Sequence, residues 1–198
     1  MNKRHLLPLL VSVLTIALLS ISAFAQEESQ HLTFKGVPID GTLEQFVVQM
    51  NQMGFKGSVG NDHSAFLVGD FAGFKGCVVR VETLSRSDIV CTIKVSFPST
   101  KWERWEESYD CYVRLKELLT IKYGKPRESI EQFDKPYSAK SVNEKEHEMM
   151  QGRGTYKTVY KTKLGEIVLL INTSCITELV YSDSVNSKVL NAAALADL

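Results

Sequence analysis

The chain lacks an excess of charge of either sign. It carries 23 Lys and Arg against 23 Asp and Glu side chains in 198 residues. Proteins that bind nucleic acid through its phosphates, or anionic membranes through their headgroups, concentrate basic side chains on one surface. The balanced composition therefore argues against nucleic acid and against an anionic membrane as partners.

Residues of the common catalytic sites are also scarce. Three of the four histidines, His31, His63 and His147, fall in predicted loops or terminal segments, and no Ser stands in a Gly-x-Ser-x-Gly elbow. His147-Glu148 resembles the start of a zinc-protease helix, but Gln151 occupies the position of its second His. Nucleophilic hydrolysis needs a Ser or Cys beside a His, although these residues can meet in space from distant positions, and a zinc-protease helix needs its second His at a fixed spacing. The sequence therefore predicts no catalytic residues, no metal site and no cofactor.

Cysteine is limited to four residues, and no two of them have the Cys-x-x-Cys spacing. Cys77, Cys91, Cys111 and Cys175 each lie among apolar residues, so four buried thiols and a disulfide both fit the pattern. If a bridge forms, we predict that it joins Cys77 to Cys91, because both lie on strands that are expected to pair as a hairpin. Closing that loop would contribute about 3 kcal/mol to stability.

The first 25 residues have the three parts of a cleavable signal peptide. Lys3 and Arg4 precede an apolar stretch from Leu6 to Ile21, and Ala23-Phe24-Ala25 forms a small-x-small cleavage site. A membrane anchor is the alternative, because the apolar stretch approaches the roughly 20 residues that span a bilayer. No Cys stands at the cleavage point, so no lipid anchor is predicted.

Cleavage would leave residues 26–198, which we expect to form one domain in the periplasm or outside the cell, without attachment to a membrane. Their hydrophobic pattern changes between two periods. Helical spacing predicts helices at 43–50 and 102–123, and a capped, alanine-rich tail predicts a third at 183–198. Alternation with a period of two, typical of antiparallel strands with one buried face, predicts strands at 66–68, 77–82, 89–97, 155–162, 166–172 and 175–181, and a turn at 36–41 ends a short strand at 31–34.

The predicted fold is α+β, with an antiparallel sheet of about six strands and helices packed on one face. A helix followed by three strands occurs twice, which suggests a duplication of two αβββ units, 31–98 and 99–198, based on the order of elements and not on residue identity. The stretch from Pro126 to Gly154 has little periodicity and is predicted to be one long polar connection. Connections of that length are functional or mobile.

Five residues are candidates for a contact surface. Trp102 lies at the start of a helix in which most aromatic residues share the core-facing stripe, so we expect Trp102 to be the most exposed of them. Tyr156 and Tyr160 share one face of a predicted strand, and whichever face meets water is a contact surface by position. His147 and Glu148 lie in the charged part of the long connection.

Three stretches of the chain, at Phe34–Leu43, Gly69–Gly73 and Leu118–Pro126, resemble a known group of sequences. This group is the uncharacterised exported proteins of gut Bacteroidales. The resemblance covers nearly the whole chain after the signal peptide and consists of turn and cap residues. It implies an envelope or secreted protein of an anaerobe, in which disulfide formation is less expected. The group has no established activity from which site residues could be transferred.

These observations favour a noncatalytic interaction module that contacts a protein or peptide through the open sheet face or through the segment from Pro126 to Gly154. Two alternatives remain open. One is a hydrolase that acts on glycan or peptide through carboxylates such as Asp62, Asp70 or Glu82, and it requires two carboxyl groups roughly 5 to 10 Å apart in one pocket. The other is a structural component of the envelope.

Overall fold

The computed structural model describes residues 30–60, 63–84, 87–98, 104–135 and 139–186, together with Lys188 and Leu195. The described elements, in chain order, are β1 (Thr33–Phe34), β2 (Val37–Pro38), α1 (Leu43–Gln52), β3 (Lys56–Val59), β4 (Ser64–Phe71), β5 (Phe74–Thr83), β6 (Val90–Ser96), α2 (Arg104–Tyr123), β7 (Glu128–Phe133), α3 (Val142–Met150), β8 (Gly154–Lys161), β9 (Gly165–Ile171) and β10 (Thr177–Asp183). The predicted class, α+β with an antiparallel sheet, is confirmed.

Eight strands form the main sheet in the order β3-β4-β5-β6-β10-β9-β8-β7, and every neighbouring pair is antiparallel. This is two strands more than the six predicted, while β1 and β2 form a separate hairpin. Strands that follow each other in the chain lie side by side, except at the centre, where β6 pairs with β10 and Val95 lies opposite Leu179. Each half of the chain therefore supplies four adjacent strands, and the duplication itself stays a prediction.

The core lies against one face of the central strands, as the alternation in the sequence predicts. Val79 and Val81 of β5, Ile93 and Val95 of β6, and Leu179 of β10 are each at most 1% exposed. They belong to one hydrophobic cluster with buried residues of α1, α2, α3 and the β1–β2 hairpin. Removal of this apolar surface from water is the main term that stabilises the fold.

Helix α1 begins at a capping box in which Thr42 is the cap. The Thr42 hydroxyl accepts a hydrogen bond from the Gln45 amide at 3.3 Å, and the Gln45 side chain accepts one from the Thr42 amide at 3.2 Å. The Leu43 amide also donates to the Asp88 carbonyl at 3.1 Å, which fixes the start of the helix beside the start of β6. The buried stripe is the predicted one: Leu43, Phe46, Val47 and Met50.

Helix α2 is joined to the second half of the sheet by buried hydrogen bonds. Ser108 donates its hydroxyl to the Cys175 carbonyl at 2.5 Å, and the Thr177 hydroxyl donates to the Ser108 carbonyl at 2.7 Å. Near the end of the helix, the Tyr160 hydroxyl donates to the Lys116 carbonyl at 3.0 Å. The helix ends at Tyr123, as predicted.

The stretch from Pro126 to Gly154 is not one irregular connection, because it contains β7 and α3. Helix α3 is capped by Ser141, whose hydroxyl accepts from the Glu144 amide at 3.3 Å, while the Glu144 carboxylate accepts from the Ser141 amide at 2.7 Å. The prediction was wrong because only Glu148 and Met149 of this helix are buried, which leaves almost no hydrophobic period. Most of the predicted helix at 183–198 lies outside the described residues.

The structure also corrects the predicted bridge between Cys77 and Cys91. Both thiols are free and buried, as are those of Cys111 and Cys175. The register pairs Val78 with Ser96 at one end of the β5–β6 hairpin and Thr83 with Val90 at the other. At about 3.3 Å per residue, this places the two cysteines roughly 20 Å apart, whereas a disulfide needs Cα atoms within about 7 Å.

Candidate functional site

The sheet face opposite the core carries a row of exposed apolar side chains in the first half of the chain. Phe66 and Val68 of β4 and Val78 of β5 are 52%, 49% and 39% exposed. Val68 lies directly opposite Val78, and Phe66 lies two residues from Val68 on the same face. We call these three residues the apolar strip.

Basic side chains border the apolar strip. Lys56 lies opposite Val68, Arg80 lies opposite Phe66, and Lys94 lies opposite Arg80 on the next strand. The Arg80 guanidinium stands 5.4 Å from the centroid of the Phe66 ring, within the range of a cation–π contact. The Glu82 carboxylate lies 3.0 Å from Nε of Arg80, and the Glu178 carboxylate lies 4.0 Å from Nζ of Lys94. The strip is therefore an apolar surface whose border carries three basic side chains, two of which are paired with glutamates.

On the other side of the sheet, a groove separates α1 from the edge strand β3. Its volume is about 570 Å³, within the size range of ligand pockets. The groove is lined by Leu43, Glu44, Val47, Val48, Asn51, Gly57, Ser58, Val59 and Asp88. Sequence reasoning missed this groove because it did not predict β3, all of whose residues are exposed.

A polar network lies between α2, β7 and β8. The Tyr112 and Thr158 hydroxyls are 2.5 Å apart, Ser129 lies 2.9 Å from Thr158, and Ser129 also donates to Glu131 at 3.0 Å. Burial raises the pKa of Glu131, but hydrogen bonds from Lys116 and Ser129 outweigh it, so the net pKa is lowered and the carboxylate form is favoured. Each member has a partner, which is typical of a network that fixes the helix on the sheet.

The two predicted contact tyrosines lie on the core side of the sheet. Tyr160 is 1% exposed. Tyr156 packs against Trp105 and Phe133, with ring centroids 4.9 Å and 5.4 Å apart. Tyr160 is therefore buried in the core, whereas Tyr156 is partly buried at its border, and Trp102 lies outside the described residues.

The two residues predicted from the charged cluster are separated by burial. His147 is exposed on α3, whereas Glu148 is 6% exposed. The Arg153 side chain donates to both carboxylate oxygens of Glu148, at 2.9 Å and 2.8 Å. Glu148 therefore holds α3 against the start of β8, and bidentate pairing of this kind fixes geometry.

The two described carboxylates of the hydrolase alternative, Asp70 and Glu82, do not converge. The Asp70 carboxylate accepts from the Gly76 amide at 3.1 Å, whereas Glu82 lies six residues further along β5 beside Arg80. Six strand residues span roughly 20 Å, which exceeds the separation of glycosidase carboxylates. Asp62 lies outside the described residues.

A second pocket, of about 390 Å³, lies where the β8–β9 turn meets the end of β10. Asp183 lines it, but this carboxylate is buried and accepts from the Leu32 and Val185 amides at 2.8 Å and 2.9 Å. His31 stands between Asp183 and Asp40, at 3.3 Å and 3.5 Å. This cluster joins the β1–β2 hairpin to the end of the sheet.

In the part of the chain that the structure describes, no three His, Cys, Asp or Glu side chains are placed to hold a metal ion. None of the described helices combines the length and the apolar character needed to cross a bilayer. Comparisons with protein-family models, with curated proteins and with solved structures found no match.

Proposed function

We propose that this protein is an exported, noncatalytic interaction module that binds a partner protein through the apolar strip. The proposal includes the arrangement of the helices, which we infer to cover only the core face. Residues of α2 form hydrogen bonds with Thr158 and Tyr160 on that face. The Phe55 ring, which follows α1, packs against Gly69 of β4, where an added Cβ would lie 2.4 Å from the ring.

The contiguity of the apolar strip carries the proposal. Single exposed apolar residues, such as Ile121 of α2 at 83% exposure, are common on soluble proteins. Large apolar side chains grouped on one rigid sheet mark interaction surfaces more often. Phe66 is the largest of the three and can act as an anchor, since aromatic residues contribute strongly to binding.

The basic border indicates the chemistry of the partner. Lys56, Arg80 and Lys94 favour a protein surface on which an apolar patch is bordered by acidic side chains. Complementary charges at such a rim raise the association rate and select among partners, while the apolar centre supplies most of the affinity.

The test compares two substitutions of equal chemistry on the chain that follows the signal peptide. Val68→Asp places a charge in the strip, and Ile121→Asp places the same charge on an exposed position of α2. We expect proteins retained from envelope extract, measured by quantitative mass spectrometry, to fall about tenfold with Val68→Asp and to be unchanged with Ile121→Asp.

Two measurements accompany that comparison. Thermal unfolding of both variants should match the original protein, because both positions face water. Retention should also weaken in high salt, because the basic border is screened. Equal retention by Val68→Asp and the original protein would remove the strip from the proposal.

A further inference from the structure

Strand β3 is an edge strand with hydrogen-bonding groups directed away from the sheet. The Gly60 amide donates to the Ser64 carbonyl at 2.8 Å, which sets the alternation of bonded and outward residues. Gly57 and Val59 are the outward residues. The Asn51 side chain donates to the Gly57 carbonyl at 3.4 Å, which places that carbonyl on the side of α1. An edge of this kind can accept another strand.

The groove beside this edge has an apolar wall. Val47 is 5% exposed, while Val48 and Val59 are 50% and 43% exposed and line the same groove. Strand residues alternate in direction, so a strand added beside β3 would direct every second side chain toward these valines. The fit favours β-branched apolar side chains, which pack well on a half-buried strand.

The charged residues that line the groove, Glu44 and Asp88, are both acidic. The Leu43 amide donates to the Asp88 carbonyl at 3.1 Å, so both carboxylates belong to the end of the groove where α1 begins. A short turn joins the end of α1 to the start of β3. The Asn51 side chain near the end of α1 reaches Gly57 near the start of β3, and the groove is lined by residues from both ends of α1, so we place the acidic end toward Val59.

We infer that the groove between α1 and β3 binds an extended peptide segment, which pairs antiparallel with β3 and adds a ninth strand to the sheet. In this orientation the amino-terminal part of the segment lies toward Val59, so a Lys or Arg there faces Glu44 and Asp88. A Val or Ile that follows it packs on Val47, Val48 and Val59. Main-chain bonds supply affinity and the alternating side chains supply specificity.

This site differs from the apolar strip, because it uses the outward edge of β3 and the core side of the sheet. The two proposals can therefore fail separately. Val68→Asp changes the strip and leaves the groove intact, whereas Val48→Lys changes the groove and leaves the strip intact.

The probe is the fluorescein-labelled peptide acetyl-Lys-Thr-Val-Thr-Val-Thr-amide, titrated with the chain that follows the signal peptide and followed by fluorescence anisotropy. We expect saturable binding that weakens about tenfold with Val48→Lys and is unchanged with Val68→Asp. Glu44→Gln should weaken binding less and reduce its dependence on salt.

Two control peptides separate the contribution of main-chain hydrogen bonds from that of charge. A version with N-methyl groups on both valines cannot donate from these amides and should lose binding, because it cannot complete the strand pairing. A version with Glu in place of Lys should bind more weakly, because Glu44 and Asp88 repel it.

Four results would overturn the inference. The first is the absence of saturable binding up to about 1 mM probe. The second is equal binding of the N-methylated and the unmodified peptide. The third is dimerisation in analytical ultracentrifugation that Val48→Lys abolishes, because this result would assign the groove to a second copy of the chain. The fourth is cleavage of the probe, seen by mass spectrometry, which would identify a hydrolase.

Discussion

At the scale of single residues, the buried thiols have a consequence for behaviour in alkali. Burial raises the pKa of all four cysteines, to about 12 for Cys111 and about 11 for Cys175. The thiolate, which reacts with disulfides and metals, is therefore disfavoured in the folded chain. These cysteines act as small apolar residues of the core.

We predict that the protein loses stability as the pH rises above about 9. A folded pKa above the unfolded value means that the unfolded chain releases protons first. The contribution of the buried thiols to the free energy of unfolding is therefore complete below the pKa of an unfolded thiol, near 8.5. It is lost as the pH rises through the pKa values of the folded state, about 11 for Cys175.

Urea midpoints measured at pH 8 and at pH 10 would check this prediction. Cys175→Ala is the control, because it removes one titrating thiol and should make the decline with pH shallower, even if the variant is less stable at pH 8. A midpoint that does not change between the two pH values would contradict the raised thiol pKa values.

At the scale of elements, the sequence predicted a helix or strand correctly where that element buries a regular set of apolar side chains. Helices α1 and α2 were predicted because each presents a buried stripe to the core, and β5, β6, β9 and β10 because they alternate strictly. Strand β3 is exposed throughout, and α3 buries only Glu148 and Met149, so neither leaves a readable period. The groove could not be predicted without β3.

Strand β4 shows a second reason for failure at this scale. Phe66 and Val68 identify the strand, but its buried apolar residues are Ala65 and Leu67. Both faces of β4 carry apolar side chains, so the period of two does not reveal which set meets the core. The open sheet face was predicted as a possible contact surface, but the residues named for contact included Tyr156 and Tyr160, on the core side, and not Phe66 or Val68.

The capping box of α3 leads to a prediction at the element scale. Ser141→Ala removes the hydroxyl that accepts from the Glu144 amide, and we expect it to lower the free energy of unfolding by about 1 kcal/mol. Ser141→Asp is the matched control, since its carboxylate can still cap the helix. Urea unfolding of the three proteins measures the effect, and an equal loss with Asp would show that the cap is unimportant.

At the scale of the whole molecule, one core runs across both halves of the sheet. The hydrophobic cluster includes residues of β5 and β6 in the first half and of β9 and β10 in the second. The two halves meet at the β6–β10 pair, where Val95 lies opposite Leu179. Because the two halves share one core, unfolding of one half would expose apolar side chains of the other and favour its unfolding as well.

We therefore predict a single unfolding transition. Both tryptophans, Trp102 and Trp105, lie in the second half, so their fluorescence reports on that half, while far-UV circular dichroism reports on the whole chain. The two signals should coincide in urea. Leu179→Ala should lower the free energy of unfolding by about 2 to 5 kcal/mol without separating them. Separate transitions would show that the halves fold independently.

The strand order also determines when the sheet can close during synthesis. Strand β10 is the last described strand in the chain, yet it lies between β6 and β9 at the centre of the sheet. Until it emerges from the ribosome, β6 and β9 each have an open edge, and such an edge in a nascent chain can pair with the wrong strand. Any chain interrupted before Thr177 would keep both edges open, and quality-control proteases would recognise it as unfinished.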